Sequence, residues 1–284
     1  MWKLIEWSNT QSVAVVVSTL LVSAVSVPAA AATSDGNRGR QGGTERDKVL
    51  VQNLFNNGVA DPGKLSLYPR AETVRALVSE QATATGQFGV GIAFMLAVVH
   101  YNYRTNRRLV VTAATACIRK KRTPTSYDEE MAFYVCDLFE RGDTSLLDTL
   151  FDIGLHSDGD LTEGIGTELG DVVEKRPRLF LRCLSRRPVP QQRDLALLAG
   201  SQDGGGMSDA DLKRVRASLK AIERSNSVLG PTARLCLRQI ERANAQARSA
   251  MQKLNGLQKC GRHTKSMTPS RGQLLAVAAE SAIG

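Results

Sequence analysis

Apolar residues recur at spacings of three and four along most of the chain, and short polar breaks separate the periodic runs. Met131, Val135, Leu138 and Phe139 put one apolar face on a helix over 126–140. Arg141-Gly142-Asp143 ends it, with Gly142 suited to a left-handed C-terminal residue. A second helix, opened by Asp143 or Thr144, carries Leu146, Leu147, Leu150 and Phe151. A third carries Leu161, Ile165, Leu169, Val172 and Val173. A fourth carries Leu179, Phe180, Cys183 and Leu184, with Pro177 in its first turn and Pro188 and Pro190 as its stop. Connections this short make consecutive helices antiparallel neighbours.

The same reading extends to both sides. Thr44 with Asp47 forms a capping-box start for a helix ending near Gly58, with Val51, Leu54 and Phe55 as its face. Asp61-Pro62-Gly63 is a turn, and Pro69 opens a helix bearing Val74, Leu77 and Val78. Residues 81–103 contain no Asp, Glu, Lys or Arg, and 88–99 are nearly all apolar or Gly. That core is too short to span a bilayer and reads as a helix buried on all sides, whose Gly86, Gly89 and Gly91 admit a close neighbour. A further helix covers 109–122. After the hinge-like Asp203-Gly204-Gly205-Gly206, Ser208 and Asp211 cap a helix with Leu212, Val215, Leu219 and Ile222. Gly230-Pro231 then turns the chain into a long helix with Ala233, Leu237, Ile240, Asn244, Ala247, Met251 and Leu254. The two form an antiparallel hairpin whose thin seam calls for a partner surface. The expected fold is all-α: stacked antiparallel helical hairpins over 44–200, solenoid-like, then a basic helical hairpin over 207–256 and a basic, partly disordered tail over 257–284.

An internal echo accompanies this pattern. Val98-Val99, a polar turn and Arg107-Arg108-Leu109-Val110-Val111 resemble Val172-Val173, a polar turn and Pro177-Arg178-Leu179-Phe180-Leu181. Over roughly 69–200 the chain resembles degenerate HEAT-like or TPR-like helical repeats, although the tetratricopeptide Trp, Gly and Tyr pattern is missing. The resemblance implies stacked hairpins with an extended concave surface for another protein. The bundle alternative, helices packed without a repeat, stays open.

The N-terminus looks like an export signal over 1–32. Lys3 precedes a sixteen-residue uncharged, mostly apolar run over 12–27, then Pro28 and the small residues Ala29–Ala32. A flexible linker follows over 33–43. The expected location is exported, periplasmic or extracellular; the alternative is a chain anchored in the membrane by an uncleaved N-terminal segment. Five scattered cysteines, Cys117, Cys136, Cys183, Cys236 and Cys260, make no disulfide framework or CxxC motif and read as small buried hydrophobes.

Charge is the most uneven property of the chain. The formal net charge is +9, yet residues 127–174 hold fourteen acidic residues against Arg141, a net −13. Residues 104–122 and 175–193 each hold seven basic and no acidic residues, and 207–284 carry a net +9. Three readings compete: blocks that neutralise one another inside the fold, a basic surface for an acidic protein partner or an anionic membrane surface, and a nucleic-acid surface. Nucleic acid is disfavoured because few aromatic residues flank the basic runs. The expected partner-binding residues are Arg107, Arg108, Arg178, Arg182, Arg234, Arg238 and Arg242. The acidic block and the C-terminal hairpin are expected to pair.

Candidate chemistry is sparse. Asp152, His156, Asp158 and Asp160 are the one cluster resembling a divalent-metal site, but helix-capping chemistry explains the same residues. Gly164, Gly166 and Gly170 lack dinucleotide-fingerprint spacing, and close helix packing accounts for them. There is no Walker loop, nucleophile elbow or HExxH. The reading is therefore a non-catalytic scaffold for protein–protein interaction, with no cofactor. The alternatives are a metal-assisted enzyme using the acidic segment and a membrane-surface adaptor. If the leader is a cleaved signal, the mature chain begins near Ala32; N-terminal sequencing of protein from an exporting host checks this, and an intact Met1 end in the cytosol would rule it out.

Overall fold

The chain enters α1 (Glu45–Asn53) through the expected capping box: the Thr44 hydroxyl accepts from the Asp47 amide, and the Asp47 carboxylate accepts from the Thr44 amide. This computed structural model describes residues 44–202 and 204–260. The signal-like 1–32, the linker 33–43 and the tail beyond 260 lie outside the described residues.

Two short strands, β1 (Phe55–Asn56) and β2 (Val59–Ala60), replace the expected end of the first helix. Phe55 pairs with Ala60 and Asn56 with Val59. Asn57 and Gly58 both take positive φ, +49° and +87°, the requirement of a tight type I′ hairpin that Asn-Gly supplies. Leu54 therefore closes the helix instead of lying on its face.

The remaining elements are helical: α2 (Arg70–Gln81), α3 (Gly86–Val98), α4 (Tyr103–Ala114), α5 (Ala116–Lys120), α6 (Ser126–Glu140), α7 (Leu147–Gly154), α8 (Gly159–Lys175), α9 (Pro177–Leu184), α10 (Val189–Ser201), α11 (Asp209–Ser225) and α12 (Gly230–Cys260). The fold is all-α and built of packed helix pairs: α1 with α2, α3 with α4, α8 with α9, and α11 with α12. Both halves of the internal echo fall on a helix end, a turn and the next helix: α3 into α4, and α8 into α9. Among the described residues no helix is long and apolar enough to cross a membrane.

The expected all-round burial of α3 holds for its second half, where Ile92, Ala93, Met95, Leu96 and Ala97 are fully buried, whereas Gly86 is exposed and Gln87–Val90 are half-buried. Gly91 lies against the Phe55 ring. Phe94 stacks on Tyr134 of α6, with ring centroids 4.3 Å apart. The Tyr134 hydroxyl accepts from the Ala60 amide at 2.9 Å and donates to Glu130 at 2.8 Å, which ties the strand pair to α6. The expected helix over 109–122 begins earlier, at Tyr103, and breaks at Thr115 into α4 and α5. Left-handed His100 and Asn102 separate it from α3, just past the end of the apolar run.

The expected stop at Pro188 and Pro190 is instead the start of α10. Pro190 occupies its first turn, where a missing amide costs nothing, and Leu195, Ala196 and Ala199 turn inward. This helix is the surface that the thin C-terminal seam needs. A Cβ on Gly166 or Gly170 of α8 would meet α10 carbonyls at 2.9–3.0 Å, and one on Gly200 of α10 would lie 2.7 Å from the Ile240 Cα of α12. These glycines let three helix backbones approach closely. The buried Asn244 of α12 donates its amide to the Gly200 carbonyl at 3.3 Å and to the Ile240 carbonyl at 2.9 Å, satisfying a C-terminal carbonyl of α10. The Gly-rich turn after α10 puts Gln202, Gly204 and Gly206 at positive φ, and α12 runs four residues past the expected end at Gly256.

Leu150 and Leu169 are both fully buried. Replacing either by Ala is expected to cost about 2–5 kcal/mol in denaturant titration, with the larger value where neighbouring helices cannot collapse into the cavity; a loss under about 0.5 kcal/mol would show that the site relaxes without a cavity.

Candidate functional site

Five of the fourteen carboxylates of the acidic block, those of Asp128, Asp143, Asp148, Asp152 and Asp171, pair with the basic blocks that flank it in sequence. Asp128 is fully buried, and its carboxylate receives both terminal nitrogens of Arg122 at 2.6 and 2.8 Å while closing the Thr125 capping box. Arg107 pairs with Asp143 and donates to the Ser145 hydroxyl at 2.9 Å. Asp143 also accepts from the Tyr103 hydroxyl at 2.5 Å. Burial opposes ionisation of Asp143, but these donors outweigh it and hold the carboxyl below its ordinary range. Burial, and then the same contact, push Tyr103 up to about 12. Arg186 and Arg187 of the second basic block clamp Asp148 and Asp152.

The expected pairing of the acidic block with the C-terminal hairpin is reduced to one bridge. Among the described residues only Arg214 of α11, 2.6 Å from Glu174, joins them. Three of the hairpin's other cations pair within it, Arg216 with Glu241, Arg234 with Glu223 and Arg248 with Asp209. The reason is topological: sequence neighbours pack as antiparallel helices, so the flanking basic blocks reach the carboxylates first, and the hairpin is held by its apolar seam.

The four residues considered for a metal are placed as follows. The Asp152 carboxylate is taken by Arg187, and His156 Nδ1 lies 2.8 Å from the Asp152 carbonyl oxygen rather than its carboxylate. Asp158 is the N-cap of α8 and Asp160 sits in its first turn, an ordinary place for acidic residues. Among the described residues no group of three His, Cys, Asp or Glu side chains could hold a metal ion. Cys117, Cys136, Cys183 and Cys236 are free and buried, and burial pushes each thiol up, away from a reactive thiolate at neutral pH.

Against this background of paired charge, one groove is lined by three arginines that form no ion pair among the described residues. A single-residue turn at Arg176 joins α8 to α9, and Pro177 starts the helix. Phe180, Leu181, Cys183 and Leu184 face the core, which leaves Arg178 and Arg182, one turn apart, on the exposed side. Here α9 packs beside α11 and leaves a shallow, open groove of about 570 Å³, with Leu179, Ala221 and Ile222 as its apolar lining. Arg176, Arg178 and Arg182 line it, and no acidic or aromatic residue does. Arg176 also sits 5.8 Å from the Phe139 ring centroid. None of the three forms an ion pair among the described residues. The site therefore presents three guanidinium groups, each able to take a carboxylate through paired hydrogen bonds, around an apolar floor.

Of the seven arginines expected to bind a partner, Arg178 and Arg182 share this groove. Arg107 and Arg234 are engaged with Asp143 and Glu223. Arg108 lies exposed on α4, and Arg238 and Arg242 lie exposed on α12; none of these lines the groove. Arg176 was not among the seven. Its position in the turn before Pro177 gave it no helical face, and only the packing of α9 on α11 brings it to the same rim.

A second electrostatic feature lies between α6 and α8. Burial, then the neighbouring Glu140 carboxylate and its hydrogen bond, raise Glu168 to about 7. The folded chain thus holds this proton more tightly than the unfolded chain does. The resulting stabilisation is present below the ordinary Glu range near 4.5 and is lost as pH rises through about 7. Glu168→Gln is expected to raise the urea midpoint above pH 7.5 and to flatten the fall in stability between pH 5 and 7.5; an unchanged pH profile would show that Glu140 and Glu168 do not share a proton.

No protein-family model matches the chain, and no curated protein and no solved structure matches it.

Proposed function

We infer that the protein is an exported, non-catalytic helical scaffold that binds another protein, and that the groove between α9 and α11 receives an acidic segment of that partner. The observation that carries this reading is the contrast in pairing. Arg122, Arg141, Arg187, Arg214 and Arg216 all meet carboxylates, whereas Arg176, Arg178 and Arg182 surround one groove and meet none among the described residues. Unpaired guanidiniums at close quarters repel one another and gain from an incoming carboxylate, which also steers the encounter.

The apolar floor adds to the argument. Leu179, Ala221 and Ile222 give a partner side chain a surface to bury, so the groove combines an anchor with a charged rim, the usual division of labour at a protein interface. Single-stranded nucleic acid is less well served, because the groove offers no aromatic side chain for a base to stack on. The N-terminal sequence supports export.

The test is an affinity pull-down from the native compartment with the full chain and with Arg178→Glu/Arg182→Glu. The acidic partner is expected to be retained by the unaltered chain and to bind the double variant at least about tenfold more weakly, a change of about 1.4 kcal/mol. Because both side chains are exposed, the two proteins should share one circular-dichroism spectrum and one Tm. A partner held equally by both would remove this groove from the account.

A further inference from the structure

A second groove, formed by other residues, carries an independent reading. Its volume is about 540 Å³, within the range of small-molecule sites, and it lies between α3, α4 and α5. Val90 of α3, Leu109 and Ala113 of α4 and Ala116 of α5 give it apolar walls. Leu109 remains 45% exposed, so the start of the groove is open to a ligand.

The order of residues along one wall matters more than the volume. Leu109 and Ala113 of α4 and Ala116, Arg119 and Lys120 of α5 all line the groove, so they form a single stripe that continues across the break at Thr115. The stripe is apolar at its start and cationic at its end, and it covers roughly 15 Å at the helical rise. Arg119 and Lys120 are exposed and form no ion pair among the described residues, although Asp128 is close enough in sequence to have been contested. Arg122 has taken that carboxylate through two hydrogen bonds, which leaves the two cations at the groove without a counter-charge. The small side chains at 113 and 116 keep the channel open between the two ends.

An apolar channel that ends in two unpaired cations complements a molecule with an apolar tail and an anionic head. We propose that the groove between α3, α4 and α5 binds a single-chain amphiphile with a carboxylate head, the class of a medium-chain fatty acid, with its tail along Leu109, Ala113 and Ala116 and its head at Arg119 and Lys120. The proposal does not rest on the α9–α11 groove, and neither result bears on the other.

Isothermal titration of the full chain with octanoate, decanoate and dodecanoate, each below its micelle concentration, tests it. One site per chain is expected, with affinity rising about fourfold per added methylene. The primary alcohol of equal length should bind about tenfold more weakly than the carboxylate. Arg119→Ala/Lys120→Ala, at two exposed positions, should erase that difference and leave alcohol binding unchanged. Ala113→Leu should weaken every ligand by filling the channel; Leu109→Asp, on the exposed rim, makes the same test if that variant does not fold. Absence of saturable binding, equal binding of acid and alcohol, or unchanged binding by the variants would overturn the proposal. So would protection of the groove by a helical peptide alone, with no response to the amphiphiles.

Discussion

The close approach of three helix backbones around α10 is the constraint on which the C-terminal half depends. Gly166 and Gly170 let the end of α10 sit against α8, and Gly200 lets α12 sit against α10. Side chains at these points would push the helices apart by more than a packed core tolerates. Asn244 completes the junction by satisfying a carbonyl where α10 ends. Once α12 is seated, its antiparallel partner α11 comes beside α9, and the groove lined by Arg176, Arg178 and Arg182 exists only because of that placement.

Charge plays a different part. The acidic block would be costly to gather in one region if its neighbours in sequence were neutral. Antiparallel packing of adjacent helices delivers the flanking basic blocks to it, through Arg107 on one side and Arg186 and Arg187 on the other. Asp128 shows the strongest form of this arrangement, a fully buried carboxylate held by a bidentate guanidinium and a capping box. Exposed pairs such as Lys175 with Asp171 contribute little individually. The significance of the network lies in what it leaves over: the cations around the two grooves are among those that internal pairing did not consume.

The helices themselves were legible because burial on one face imposes a period of three to four, and most apolar residues obey it. The capping residues Thr44 and Ser208 and the turn glycine Gly142 were equally plain, since their roles are local. The Asn57-Gly58 hairpin carried a local signal too, but it was overridden by the apolar Val51, Leu54 and Phe55, which look helical until the turn is given priority. Helix α10 was obscured by Pro190, because a proline ends one helix and starts another with the same chemistry. The arginine groove was half legible: Arg178 and Arg182 stand on the polar side of an amphipathic helix, whereas Arg176 belongs to a turn and has no face to read.

The sequence by itself determined the all-α class, the principal helical faces, the caps and the segregation of charge, because each depends on residues within a few positions of one another. Tertiary structure alone decided which charges neutralise which, where the C-terminal hairpin docks, and which cations remain unpaired around a cavity. Those outcomes depend on distances between residues far apart in the chain, and periodicity contains no information about which helix lies beside which. The hairpin is the clearest case: its net charge pointed to the acidic block, but shape complementarity at Gly200, Ile240 and Ala243 seats it on α10. Short-range packing prevails there because exposed charges are screened over roughly 8 Å in physiological salt, whereas a close apolar seam is not.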